Sequence, residues 1–129
     1  MNLITHEKQE VVDWRPGVAT RMLVSAVTGS AQLCVFEQYC DPGLGAPTHL
    51  HAVEEVLTVV AGKAEIWVGG DKIQAGAGHS VIIPAGVKHG FRNISENEIL
   101  HMRATLASPI FEASYDDHRE QSRRYVPQD

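Results

Sequence analysis

Residues 43–62 read GLGAPTHLHAVEEVLTVVAG, and His49, His51 and Glu55 within them carry groups that bind metals. His49 and His51 are two apart, so on an extended strand both imidazoles leave the same face. Glu55 shares their parity and keeps that face if the strand continues or bends gently. Residues 78–93, GHSVIIPAGVKHGFRN, add a lone His89 beyond the turn Pro84-Ala85-Gly86, which can carry it back across the fold. Three imidazoles and one carboxylate suit a borderline divalent transition metal, not calcium or magnesium. Four protein ligands leave positions open on an octahedral ion, and an open position is where a metal does chemistry. His6, His79, His101 and His118 stand alone and read as ordinary surface or core histidines.

Outward from this stretch the chain is a series of short apolar runs broken by glycine: Arg21–Val27, Ala31–Cys40, Glu55–Val60, Ala64–Val68, Ser80–Ile83 and Ile99–Leu106. Their Val, Ile, Leu, Thr and Phe content favours strands, with turns at Asp41-Pro42-Gly43 and Pro84-Ala85-Gly86. Gly69-Gly70-Asp71 reads as a hairpin tip. Evenly spaced short strands without a helical pattern between them predict an all-β antiparallel sandwich or barrel. The tail Tyr115–Arg124 is the one place where a short helix is expected. In Ala31–Cys40 alternation puts Cys34, Phe36, Gln38 and Cys40 on one face and Leu33, Val35, Glu37 and Tyr39 on the other. Both faces hold apolar groups, so one is expected inside the barrel and the other against a sheet or a second subunit.

Size and composition narrow the classes. The 129 residues suit one domain; 43% are hydrophobic and 21% charged, as in an ordinary globular protein. A net charge of −5 argues against nucleic acid as a partner. The longest apolar runs are too short to span a bilayer, and the first fifteen residues show no secretory pattern. Cys34 and Cys40, about 20 Å apart along one strand, are beyond disulfide reach and read as free thiols. The cytoplasm is therefore the expected compartment.

The pattern Gly43-x5-His49-x-His51-x3-Glu55-x6-Gly62 resembles the first motif of the cupin superfamily at every defined position. Gly78-x5-Pro84-x-Gly86-x2-His89-x3-Asn93 similarly resembles the second, fifteen residues later. The two cover 36 of the 129 residues. The resemblance implies an antiparallel double-stranded β-helix, the jelly-roll barrel of small single-domain, quercetin-dioxygenase-like cupins. On that basis one domain fills residues 1–129, with the barrel at about 19–107, an N-terminal arm at 1–18 and a C-terminal tail at 108–129. It also implies that His49, His51, Glu55 and His89 are the metal ligands. Glu54, of opposite parity, is expected outside the ligand shell. Gly43 and Gly62 bracket the ligand strand with conformations other residues avoid, and Asn93 is expected to tie down a bend.

If the face of Phe36 looks inward, Gln38 is a polar group beside the metal and the candidate catalytic residue, orienting substrate or water. Arg21, His101 and Arg103 are expected on flanking strands, either binding an anion or at a subunit interface. Phe91, Leu57, Val59 and Met102 are expected in core or pocket wall, and Trp14 and Trp67 at packed ends of the chain. A homodimer is expected to cover the outer sheet face, with Ile110 and Phe111 docking across it. The first functional expectation is a dioxygenase with one iron(II) per chain and a small organic substrate. Manganese, nickel, cobalt or zinc in the same cage would serve instead an isomerase, lyase or decarboxylase, and copper is a further ion that the cage could take. A non-catalytic module binding a small molecule such as a sugar is the alternative from another class.

Overall fold

Alternation along the third strand sets the architecture: Cys34, Phe36, Gln38 and Cys40 are all buried and face the barrel interior. The computed structural model describes residues 1–128. A six-stranded sheet contains β1 (Val11–Arg15), β2 (Val18–Val24), β3 (Cys34–Cys40), β5 (Glu55–Ala61), β8 (His79–Ile83) and β10 (Leu100–Leu106). It runs in the order β1-β2-β3-β10-β5-β8. The facing five-stranded sheet contains β4 (Gly45–Leu50), β6 (Lys63–Val68), β7 (Asp71–Gly76), β9 (His89–Asn93) and β11 (Ser114–Tyr115), in the order β11-β4-β9-β6-β7. All strand pairings are antiparallel. The all-β jelly roll expected from the sequence is thus present.

The core lies between the two sheets. Leu100, Met102, Ala104 and Leu106 point inward from β10, and Leu57 and Val59 from β5, against Ile66 and Phe91 of the opposite sheet. The β6–β7 hairpin turns at Gly69-Gly70, pairing Val68 with Asp71, and Gly69 adopts φ +58°, the left-handed conformation of a tight hairpin. Gly90 matters for a different reason. A Cβ there would lie 2.4 Å from the Trp67 ring and 2.7 Å from the Ala46 carbonyl, so only glycine lets β9 lie against these neighbours. Asn93 is the expected tie: its Nδ2 donates to the carbonyls of Cys40 and Glu98, and its Oδ1 accepts from the Ser95 amide.

The ends depart from the sequence reading. β1, within the expected N-terminal arm, pairs with β2 and buries Trp14. Residues 115–124 form no helix; Ser114 and Tyr115 pair with Leu50 and His49, and the chain beyond them runs through bends and a turn. Side chains of β1 hold that segment, and these tertiary contacts override its local preference. Phe111 does not reach toward another subunit. It is 2% exposed and sits inside its own barrel against Trp14 and Phe36, with ring centroids 4.6 Å and 5.4 Å away.

Candidate metal centre

The four sequence-predicted ligands come together. His49 near the end of β4 faces His89, the first residue of β9, directly across the ladder. His51 follows β4. The chain then turns a corner through Ala52–Glu54, so Glu55 opens β5 in the opposite sheet. Glu55 therefore joins the histidines from across the barrel rather than by continuing their strand. Glu54 is exposed, as its parity required. The Gly86 amide donates to the His51 carbonyl at 2.8 Å, linking the two ligand-bearing segments.

Each imidazole is oriented by the backbone. Nδ1 of His49 donates to the Pro47 carbonyl at 2.6 Å, that of His51 to the Glu112 carbonyl at 2.6 Å, and that of His89 to the Val87 carbonyl at 2.9 Å. A carbonyl only accepts, so Nδ1 holds the proton and the Nε2 lone pair turns inward. The potential donor atoms of all four residues lie within 4.8 Å of one another. An ion with ligands at about 2.1 Å keeps its donors within about 4.2 Å, so the set closes on it with a small contraction. His51 Nε2, His89 Nε2 and Glu55 Oε1 are buried without a hydrogen-bond partner. His89 Nε2 lies 2.8 Å from Glu55 Oε1, and His51 Nε2 lies 3.5 Å from Glu55 Oε2. With the proton on Nδ1 these contacts set lone pair against lone pair, and a cation between them would use both. The residues fit a transition metal.

The electrostatics agree. Burial and the neighbouring His89 hold the His49 imidazole down at about 3. Burial pushes the Glu55 carboxyl up, but His51 and His89 outweigh it and hold it at about 2. Burial pulls His51 down, and the Glu55 carboxylate overcomes this and leaves it above the ordinary value. The site thus offers an imidazole held neutral at His49 beside a firmly ionised Glu55 carboxylate, and a metal would take the place of the proton that Glu55 favours on His51.

Above the ligands lies a cavity of about 20 Å³, room for about one water. Gln38 is in its wall with His49 and Glu55, and its Nε2 donates to the Thr20 hydroxyl at 3.0 Å. Phe91 and Leu57 line it too, while Val59 and Met102 are buried in the core. Arg21, Arg103 and His101 do not reach it. They sit with Glu37 on the outer face of the six-stranded sheet, where Arg103 and His101 approach the Glu37 carboxylate at 3.0 Å and 3.2 Å.

Four further wall residues, Trp14, Arg15, Phe111 and Tyr115, were not assigned to the site from sequence. The Tyr115 ring lies 5.3 Å from His49, and the Phe111 ring 5.6 Å from His51. The residual signal was Trp14 beside Arg15-Pro16-Gly17, an aromatic and a cation at a turn. Nothing local says that this turn meets the tail.

Comparisons with known proteins agree with this geometry. The cupin domain family model matches residues 36–103, more than half of the chain. An uncharacterized protein of Streptomyces coelicolor is 49% identical over 57 residues, 44% of this chain and 54% of that protein. The chain thus spans about half the length of that relative. An RmlC-like cupin from Shewanella frigidimarina superposes with a TM-score of 0.70 at 25% identity, covering 81% of this chain and 87% of that one. The polyketide cyclase RemF from Streptomyces resistomycificus superposes with a TM-score of 0.73 at 20% identity, covering 93% and 88%, a likeness of fold. With matching motifs, fold and family model, the chain belongs to the cupin family.

Proposed function

We propose that this cupin is a mononuclear transition-metal-dependent enzyme acting on a small organic molecule, with dioxygenase activity on iron(II) as the leading reading. The observation that carries it is the convergence of three backbone-oriented Nε2 atoms and one carboxylate beneath an apolar chamber. Such an ion supplies Lewis acidity and, as iron(II), activation of dioxygen. His49, His51, Glu55 and His89 hold it, with their geometry fixed by the Pro47, Glu112 and Val87 carbonyls. Trp14, Phe36, Leu57, Phe91 and Phe111 give the chamber aromatic and aliphatic walls, suited to excluding water and, once the wall opens, to a planar substrate. Gln38 is the group we assign to orienting the substrate; its amide is anchored on Thr20, leaving the carbonyl end as an acceptor.

One observation favours a second reading, an isomerase, lyase or decarboxylase using a non-redox metal. The Tyr115 ring stands beside His49 and lines the cavity, the position from which a phenol hands a proton to a bound molecule. The test is oxygen uptake over a panel of flavonols, diketones and catechols with iron-, manganese- or nickel-loaded protein. Uptake with iron that survives Tyr115→Phe supports the dioxygenase. Anaerobic turnover that Tyr115→Phe abolishes supports the second reading. Silence throughout, with organic acids added to the panel, sinks both.

A homodimer across the outer face of the six-stranded sheet is part of the proposal. Ile82 is 66% exposed there, beside the half-buried Val56 and Val60. We also place the protein in the reducing cytoplasm, consistent with the buried free thiols Cys34 and Cys40, which burial pushes up to about 12. No described helix is long and apolar enough to cross a membrane.

A further inference from the structure

The cavity over the metal centre is too small for an organic substrate, so its wall must open. Two of the residues that close it, Phe111 and Tyr115, belong to the C-terminal tail, and Arg15 closes it from β1. Arg15 also lines the adjoining surface groove, together with Glu120. It therefore stands between the inner chamber and the outside. A register shift between Asp13 and Arg15 in the β1–β2 ladder re-aims the side chain, as bulges do.

The guanidinium holds Glu120 as a fork holds a carboxylate. Nε lies 3.1 Å and 3.2 Å from the two Glu120 oxygens, and the terminal Nη2 lies 3.0 Å from Oε2. Nη1 donates to the Gly45 carbonyl at 3.2 Å, and Nη2 faces the Tyr115 hydroxyl at 3.5 Å. Only 14% and 16% of the two side chains is exposed, so the pair is largely withdrawn from water. Beyond Glu120 the tail is held to β1 through Trp14, whose carbonyl accepts from Arg123. Tyr125 accepts from the Trp14 indole at 2.8 Å, and Arg123 stacks on the Trp14 ring at 5.1 Å.

We propose that Arg15 is the carboxylate-binding group of this site, and that its substrate is an organic carboxylate which enters by displacing Glu120 and releasing the tail. This rests on the reading that the chamber receives a small organic molecule, and it names that molecule's class. Glu120 is the tail's internal stand-in for the substrate carboxylate. The exchange swaps one ion pair for another at the same guanidinium, with no covalent step. Arg is the residue suited to it, because its fork accepts two carboxylate oxygens at once. A carboxylate at Arg15 would place the remainder of the molecule toward Tyr115 and His49.

The experiment uses full-length protein of measured metal content, titrated with acetate, malonate and benzoate, each against its neutral amide. Trp14 fluorescence and calorimetry report binding, and trypsin cleavage at Arg119, Arg123 and Arg124 reports release of the tail. Removing the internal competitor by Glu120→Gln should tighten binding of at least one acid about tenfold and speed tail cleavage. Arg15→Gln should abolish acid binding with the metal retained, and Arg15→Lys, which keeps the charge without the fork, should fall between. In wild type the acid that binds should speed tail cleavage, and its amide should not. The inference is overturned if Glu120→Gln binds no acid more tightly than wild type, if amides bind as well as acids, or if Arg15→Gln binds acids undiminished. Turnover of an uncharged flavonol would overturn it while sparing the metal enzyme. Arg15-dependent acid binding in protein that never takes up metal would sink the enzyme reading instead.

Discussion

His49 and His89 stand opposite each other in the β4–β9 ladder, their ring centroids 4.3 Å apart. Neighbouring strands bring them together although forty residues separate them in the chain, so the cage depends on strand register. Replacing either by alanine should lower transition-metal affinity more than a hundredfold, with the far-ultraviolet circular dichroism unchanged. Elemental analysis of untagged protein is the check; metal content equal to wild type in both variants would refute the ligand assignment.

Acid should empty the site, and the order of protonation gives the sign. The Glu55 carboxylate holds His51 above its ordinary value, so His51 is proton-loaded before His49 as pH falls and metal must displace that proton. Occupancy should begin to drop above about pH 6.5. In the metal-free protein His49, held at about 3, stays neutral when folded but would protonate when unfolded. That contribution to stability is complete above the unfolded value and drains away as pH falls from about 6.5 toward 3. Metal content that stays level down to pH 4 would contradict three imidazole ligands.

Gly90→Ala should destabilise the fold by about 2 kcal/mol or more, because the new methyl meets the Trp67 ring and the Ala46 carbonyl. Urea unfolding measures it. Since His89 is the adjacent residue, metal affinity should fall as well.

Asn93→Ala should cost about 2 kcal/mol, leaving the buried Cys40 carbonyl, the part-buried Glu98 carbonyl and the Ser95 amide without their partner. The metal stoichiometry of the folded fraction should stay the same as wild type, which separates a structural tie from a ligand.

Ile82→Asp, on the outer face of the six-stranded sheet, should shift the proposed dimer to monomer in analytical ultracentrifugation without loss of metal. Wild-type protein that sediments as a monomer at high concentration would refute the dimer.

The ligand set and the strand pattern were legible because both are local. Parity along Cys34–Cys40 told which face holds Gln38, and glycines marked the turns. Glu55 reached the site by a route that parity could not show, since the corner at Ala52–Glu54 moves it to the other sheet. The tail was illegible for a stronger reason. Phe111, Tyr115 and Glu120 have little periodicity, and their places are set by Trp14, Arg15 and His49, which lie 66 to 105 residues earlier. Pairings of that range leave no mark on neighbouring residues. Phe111 therefore looked like part of an exposed apolar step seeking a partner, when for this residue the barrel itself was the partner.

The clasping of each imidazole by a main-chain oxygen carries a consequence for cellular supply. A cage already rigid before loading spends little on rearrangement, so iron, manganese, nickel and zinc meet nearly the same mould. The chain would then discriminate weakly among them, and which ion it takes would be a matter of supply at the moment of synthesis.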